Sequence, residues 1–157
     1  MSTGVVIRLA RCDEQKALEN LQRRASLMWE EYREAILAHP DAIELPLEQI
    51  EAGCAYVAEL GGKAVGFFVI LRRSDGEVDL DGLFVDPAMW KMGIGRLLVV
   101  EAGRVAASEG AGLLCVVANP RAQGFYAACD FELAGEEQTR FGVGLSMRQR
   151  IGSRMVG

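Results

Sequence analysis

Residues 83–98 read LFVDPAMWKMGIGRLL, an apolar run that leads through a turn and two glycines into a second apolar run. The first run is typical of a buried strand ending at Asp86-Pro87, and the apolar spacing after Gly93 predicts a helix to about Ser108. A helix N-terminus carries unpaired N–H groups and a partial positive charge, and glycines let a phosphate come close to them. Because Lys91 and Arg96 add positive charge, this segment predicts a phosphate or pyrophosphate site.

The same segment indicates the class of fold. The helix lies between the strand Glu77–Val85 and another apolar run of strand length, Leu113–Ala118, and this β-α-β order implies a parallel pair of strands. Upstream, two glycine-containing turns join Glu77–Val85 to two further strands in an antiparallel meander, Cys54–Leu60 and Lys63–Leu71, with Gly66 as a bulge. The sequence therefore predicts a mixed α/β fold.

The remaining elements fit around this centre. We predict a first strand at Val5–Leu9, followed by helical spacing that begins after Asp13 as the N-cap and forms one helix or two. Farther along, the sequence predicts a short helix at Leu47–Glu51, a helix that starts at Asn119-Pro120, and strands at Phe131–Leu133 and Phe141–Met147. No linker or repeat divides the chain, so we expect one domain over residues 1–157.

Composition excludes several classes of protein. Half of the 157 residues are hydrophobic, which excludes a disordered chain, and no apolar run reaches the ~18 residues of a membrane span. Acids outnumber bases 22 to 17, and the net charge of −5 argues against sequence-independent binding of nucleic acid. The four cysteines and one histidine lack the close spacing of zinc ligands, so we expect no metal site. Scattered cysteines and the lack of a signal-peptide layout favour a cytoplasmic protein.

Two common nucleotide-binding loops do not match the glycine segment. A P-loop requires Lys and then Ser or Thr after its second glycine, but Arg96-Leu97 follows here. The dinucleotide fingerprint requires a third glycine or alanine where this chain has Leu98. A strand-to-helix turn that binds no ligand remains an alternative interpretation of the loop alone.

Two motifs of the chain resemble those of the GNAT N-acetyltransferases. The acetyl-CoA loop of that family, [QR]-x-x-G-x-[GA], resembles residues 90–95, and its second motif, N-x-x-A-x-x-F-Y-x-x-x-G-F, resembles residues 119–131. The order of strands and helices also matches from Val5 to Met147. The chain departs from the motifs at three positions: Trp90 replaces Gln or Arg, Lys91 stands where glycine is common, and Asp130 replaces a glycine.

This resemblance implies a fold, an activity and a cosubstrate. The fold would be the acyl-CoA N-acyltransferase fold, a mostly antiparallel sheet with one splayed parallel pair and helices on both faces. The chain would transfer an acetyl group from acetyl-CoA to a primary amine of a small molecule, an amino acid or a protein, and homodimers are common in the family. The residues that would contact the cofactor are Leu83, Phe84, Val85, Trp90, Lys91, Met92, Gly93, Ile94, Gly95, Arg96, Leu97, Asn119, Ala122, Phe125 and Tyr126.

The reaction requires proton transfers, and three side chains are candidates for them. An alkyl amine has a pKa near 10.4 and must lose a proton before it attacks, which suits a carboxylate. Asp79 matches the position of the general base in some family members, and Asp81 is a rival on the same strand face. Tyr126 matches the usual general acid, and an N–H near Val85 would hold the oxyanion. The alternative interpretations are that the aspartates only face solvent and that Tyr126 is only a packed aromatic.

The acceptor is not named by any motif. By resemblance, its pocket comes from helices within Glu14–Gly53 and from the last hairpin. We interpret Met28, Trp29 and Tyr32 as helix core, with the alternative that part of this cluster faces the substrate. Arg148, Arg150 and Arg154 are interpreted as a solvated tail. Residues 1–88 hold 16 acids and 9 bases, whereas residues 89–157 hold 6 acids and 8 bases. This division favours a cationic amine in the first part and an anionic cofactor in the second. A non-catalytic acyl-CoA sensor and a nucleotide-binding protein are the alternative functions.

Overall fold

The computed structural model describes residues 4–39, 43–139 and 142–151, without the side chains of residues 30–32. Its strands and α-helices, in chain order, are β1 (Val5–Leu9), α1 (Gln15–Leu27), α2 (Glu30–Ala38), α3 (Leu47–Glu51), β2 (Ala55–Leu60), β3 (Lys63–Arg72), β4 (Val78–Val85), α4 (Ile94–Ser108), β5 (Leu113–Ala118), α5 (Gln123–Ala128), β6 (Glu132–Thr139) and β7 (Gly142–Arg150).

The strands form one seven-stranded mixed sheet in the order β1-β2-β3-β4-β5-β7-β6. Strands β1 and β2, β2 and β3, β5 and β7, and β6 and β7 pair antiparallel. Strands β4 and β5 pair in parallel, with Asp79 opposite Cys115 at the centre of the register. The mixed α/β fold and the parallel pair across the α4 crossover are confirmed.

The chain divides into two compact units, Met1–Val69 with Gly82–Leu98, and Ile70–Asp81 with Val99–Gly157. In the first unit, α1 buries Leu18 and Leu21, which occupy one helix face at the expected spacing. The register of β2 and β3 shifts opposite Gly66, which confirms the bulge. A Cβ on Gly66 would lie 3.0 Å from the Phe84 carbonyl oxygen, so this glycine allows β3 a close approach to the end of β4.

In the second unit, one face of β5 and β7 is buried and the other is open. Leu114, Val116 and Met147 are at most 6% exposed, whereas Val117 is 46% exposed. Alternation along each strand therefore places Cys115 and Val117 of β5 on the open face, together with Ser146 and Arg148 of β7, which pair with them. That the two units act as one domain stays a prediction.

Several details differ from the sequence-based predictions. Asp13 lies inside a short 3-10 helix, and the residue before α1 is Glu14, which makes no side-chain capping bond. Arg148 and Arg150 belong to β7 rather than to a tail, because β5 pairs with both of them. Met28 is 53% exposed, so its assignment to the core was wrong. Phe141, Arg154 and the side chain of Tyr32 lie outside the described residues. No helix in the described part of the chain has the length and apolar content needed to cross a bilayer.

Candidate active site

The end of β4 positions its backbone groups through contacts inside the first unit. The Phe84 carbonyl faces Gly66 of β3, and the N–H of Asp86 donates to the Val65 carbonyl over 2.9 Å. Because neighbouring residues of a strand direct their polar groups to alternate sides, those of Leu83 and Val85 face away from β3. Of the three residues expected to contact the pantetheine arm, Leu83 and Val85 are thus better oriented than Phe84.

Trp90 has a structural contact that the sequence did not indicate. Its indole N–H donates to the Val85 carbonyl over 2.8 Å, so the loop after β4 is fastened back onto the last residue of the strand. Its ring lies against that of Trp29 at the end of α1, with 6.0 Å between ring centroids. The Val85 carbonyl is therefore satisfied by Trp90, and the N–H of Val85 remains the candidate oxyanion donor.

The glycine loop leads into α4 with its helix N-terminus facing outward. Lys91, Met92 and Gly93 are exposed. The N–H of Leu97 donates to the Gly93 carbonyl over 3.1 Å, and the N–H groups of Ile94 and Gly95 at the start of the helix have no acceptor within it. Gly93 adopts φ +82°, and a Cβ there would meet open space. The loop thus has the free N–H groups and the access that a phosphate requires.

Lys91 adopts φ +71°, in the left-handed region that glycine favours, although it is not a glycine. Asp130, in the second motif, adopts φ +73°. Among the described residues these are the two non-glycine residues with positive φ, and they are the two positions at which the chain lacks the glycine of the resembling motif. At both sites the backbone therefore adopts a conformation that a glycine would favour.

An ion pair joins α1 to the residue after β4. Arg24 Nη2 lies 3.0 Å from Asp86 Oδ2, and Asp86 Oδ1 accepts the N–H of Ala88. Asp86 is 9% exposed, and burial alone would raise its pKa; the Ala88 N–H and the Arg24 guanidinium outweigh this and lower it. This ion pair links α1 to the start of the loop that follows β4, and no motif in the sequence predicted it.

In the second unit, Asn119 presents a polar atom without a partner. Its Oδ1 accepts the N–H of Arg121 over 2.8 Å, which caps a 3-10 helix at Pro120–Ala122 and fixes the orientation of the amide. Its Nδ2 is buried and has no hydrogen-bond partner among the described residues. A buried donor left unpaired is costly, so this atom is suited to an acceptor supplied by a ligand.

Tyr126 is held by the C-terminal turn of α5. The N–H of Asp130 donates to the Ala127 carbonyl and that of Phe131 to the Tyr126 carbonyl, both over 3.0 Å, which is a Schellman cap with Asp130 in the left-handed position. The ring contacts Phe125 and Phe131 edge-on, with centroids 5.0 and 5.3 Å away. Burial and, to a smaller extent, Cys129 raise the pKa of Tyr126, so its hydroxyl keeps its proton at neutral pH.

Asp79 and Asp81 lie in different electrostatic surroundings. Asp79 Oδ1 is 3.5 Å from Arg73 Nη1. Asp81 has no ion pair among the described residues, and although its surface is exposed, atoms around its carboxyl group remove enough hydration to raise its pKa, assisted by the charge of Asp79. The raised pKa makes the Asp81 carboxylate a better proton acceptor than an ordinary aspartate.

Both aspartates line an open groove of about 560 Å³ on the exposed sheet face of the second unit. Its lining comes from β4, β5, β6, β7 and the turn before β4: Arg73, Asp75, Glu77, Asp79, Leu80, Asp81, Leu113, Cys115, Val116, Val117, Ala134, Glu137, Ser146, Met147 and Arg148. Cys115 lies beside Arg73 in this lining, and burial raises the pKa of its thiol. Among the described residues, no group of three or more His, Cys, Asp or Glu side chains is arranged to hold a metal ion.

Comparison with known proteins identifies the family. The sequence profile of the acetyltransferase (GNAT) family matches residues 21–131, which is more than half of the chain. The chain belongs to this family. The predicted family and enzyme class are thereby confirmed, and acetyl transfer from acetyl-CoA to an amine is the reaction of the family. No protein with a curated description matches the sequence.

Solved structures share the GNAT fold at low sequence identity. The PaiA N-acetyltransferase of Thermoplasma acidophilum, in complex with coenzyme A, is 19% identical with a TM-score of 0.76, over 96% of this chain and 99% of that one. The ribosomal-protein-S18-alanine N-acetyltransferase of Escherichia coli is 18% identical with a TM-score of 0.71, over 98% and 96%. At such identities the likeness establishes the fold and leaves the acceptor open.

Each unit of this GNAT chain, taken by itself, has groups that suit part of a CoA thioester. In the first unit, the N–H groups of Ile94 and Gly95 follow the open turn at Gly93. In the second unit, the Nδ2 of Asn119 is a buried donor without a partner among the described residues. Sequence reasoning missed the groove residues Glu137, Ser146 and Arg148. Alternation along the last hairpin could have placed them on one face, but Glu137 and Arg148 lie beyond the predicted strands Phe131–Leu133 and Phe141–Met147, where the residues are mostly polar.

Proposed function

We propose that this chain transfers an acetyl group from acetyl-CoA to the primary amine of a small molecule, an amino acid or a protein, by direct attack in a ternary complex. The observation that carries the proposal is the buried Nδ2 of Asn119, because it lies in the family motif and lacks a partner among the described residues. A hydrogen-bond acceptor on the pantetheine arm would satisfy it. Lys91 and Arg96, beside the N-terminus of α4, supply positive charge for the phosphates.

When bound, acetyl-CoA supplies the thioester carbonyl that the amine attacks. Asp81 accepts the proton that the ammonium must lose, whereas Asp79 is paired with Arg73. The N–H of Val85 donates to the carbonyl oxygen as its charge develops. As the N–C bond forms and the C–S bond breaks, Tyr126 would give its proton to the departing sulfur. The acetylated nitrogen would lose its second proton to water, and water would in turn return a proton to Tyr126.

A cationic acceptor is part of this proposal. The groove contains five carboxylates and two guanidinium groups, which gives it a negative field. Cytoplasmic localisation is also proposed, and the four cysteines, which form no disulfide, support it. A single domain over residues 1–157 and a homodimer remain predictions, and light scattering on a sizing column measures the latter.

Substitution of Tyr126 by phenylalanine tests the mechanism. The ring contacts with Phe125 and Phe131 are kept, so we expect an unchanged melting temperature and a kcat lower by about 10²–10⁴-fold with acetyl-CoA and an amine panel. Turnover is followed by release of the CoA thiol to a chromogenic disulfide. Equal kcat values for the wild type and Tyr126→Phe would refute the role of Tyr126 as general acid. No turnover with any amine, together with CoA binding, would favour the non-catalytic sensor, and stabilisation by NAD or ATP rather than CoA would favour the nucleotide-binding protein.

A further inference from the structure

The groove on the second unit offers two different paths across the sheet. Along the first, Asp79, Cys115 and Arg148 occupy successive strands, because Cys115 pairs with both of the other two. Asp79 is already beside Arg73, and Arg148 has no ion pair among the described residues. This path therefore ends in positive charge and repels a cation.

The second path starts at Asp81, two residues farther along β4. Val117 pairs with Ser146, and Gly144, on the same face of β7, pairs with Glu137 of β6. Asp81 and Glu137 have no ion pair among the described residues, so this path has an uncompensated carboxylate at each end. The strands β4 and β6 are three strand spacings apart, or about 14 Å.

Between these two carboxylates, the sheet surface that lines the groove has short side chains and is largely apolar. Val117 is 46% exposed, and a Cβ on Gly144 would lie 2.7 Å from its Cγ1, so the valine side chain covers the glycine. Ser146, which is half-buried, is the other residue of this surface. An aliphatic chain can lie on this surface without burying unpaired polar groups.

We propose that the acceptor is an aliphatic diamine or polyamine, with its reacting amine at Asp81, its methylene chain over Val117 and a second cationic amine at Glu137. This inference rests on the proposed function and names the substrate class of that site. The amine at Asp81 loses a proton and forms the N–C bond, while the amine at Glu137 keeps its proton and its charge. Arg73 and Arg148 disfavour the first path for this acceptor, because they repel its cationic amines.

Three acceptors of matched length test the far end of the path: diaminooctane, octylamine and aminooctanoate, which end in a cation, a methyl group and an anion. We expect kcat/KM to fall in that order, by about two- to five-fold per step at low salt, because the second contact is an exposed ion pair. The preference should shrink as ionic strength rises.

The variant Glu137→Gln should reduce the preference for diaminooctane over octylamine. The matched control is Glu136→Gln, which removes the same charge from the neighbouring, exposed residue on the opposite face of β6 and should keep the full preference. Melting temperatures check that both variants fold. Acetylation of octylamine as fast as of diaminooctane, or an equal effect of the two variants, would overturn this inference and leave the acetyltransferase proposal intact. Lack of turnover with any amine would overturn both.

Discussion

Lys91 gives the sharpest test of how the glycine loop works, because its backbone and its side chain should act in opposite directions. Its φ of +71° lies where an L-residue costs about 1–2 kcal/mol. Glycine removes that cost, but it also gives the unfolded chain more conformational entropy, which lowers the free energy of unfolding by about 0.5–1 kcal/mol. The variant Lys91→Gly should therefore be more stable than the wild type by about 0.5–1 kcal/mol, or about 0.3–0.5 M in urea midpoint.

The same variant should bind CoA more weakly. Lys91 is exposed at the entrance to the first turn of α4, so its charge contributes an exposed ion pair to the phosphates, and its loss should raise the Kd for CoA by about two- to five-fold at low salt. Trp29 and Trp90 are the only two tryptophans of the chain, and Trp90 belongs to the loop, so intrinsic fluorescence reports both unfolding and CoA binding.

The control variant is Lys91→Ala, which removes the charge but keeps a Cβ in the left-handed conformation. It should match Lys91→Gly in its weakened CoA binding and match the wild type in stability. If Lys91→Gly is no more stable than Lys91→Ala, the argument from backbone conformation is wrong. If both variants bind CoA as tightly as the wild type at low salt, Lys91 makes no contribution to phosphate binding.

Two further predictions concern the residues that hold the end of β4. Asp86→Asn should lower the free energy of unfolding by about 1 kcal/mol at neutral pH, since half-exposed Arg24 is its partner. The pKa of Asp86 is lowered in the folded protein, so its carboxylate takes up a proton only below about pH 4. The stability difference between the wild type and Asp86→Asn, measured by urea titration, should therefore vanish as the pH falls through that range. A difference that persists in acid would contradict the role given to the ion pair. Gly66→Ala should cost about 1–3 kcal/mol, because its Cβ would lie 3.0 Å from the Phe84 carbonyl oxygen and 3.1 Å from Leu98 Cδ1. Gly124→Ala, a helical position with open space around it, is the control and should be neutral or stabilising, and equal losses would refute the close-approach argument.

The elements bounded by strong turn signals were predictable from the sequence. β1, α3 and β5 begin and end at the predicted residues, because turn-forming residues stand near most of their ends: Gly4, Pro46, Gly53, Gly112 and Asn119-Pro120. β6 was predicted as Phe131–Leu133 but extends from Glu132 to Thr139. Its residues after Leu133 are mostly polar, so only pairing with β7 makes them a strand, and such a tertiary effect leaves no local pattern.

The candidate site was predictable to the extent that motifs carry it. The glycine loop, Asn119 and Tyr126 came from the two motifs, whereas the bond from Trp90 to the Val85 carbonyl depends on how the loop folds back. The contact between Trp29 and Trp90 likewise joins residues that are distant in the sequence. The sequence did not predict these contacts, because the partner of a side chain depends on tertiary structure and cannot be deduced from residue type alone.

The uneven distribution of charge along the sequence acquires a different meaning in the structure. An excess of acids in residues 1–88 suggested a surface for a cationic acceptor, but much of that charge is already compensated. Arg8 binds both Glu14 and Glu59, and the Glu77 carboxylate accepts two backbone N–H groups. A carboxylate that is already paired attracts a ligand weakly, so the charge relevant to an amine is that of groups left without a partner. Among the described residues of the groove these are Asp81 and Glu137, one from each part of the chain. The acceptor's charge pattern should therefore follow their positions across the sheet rather than the net charge of either segment.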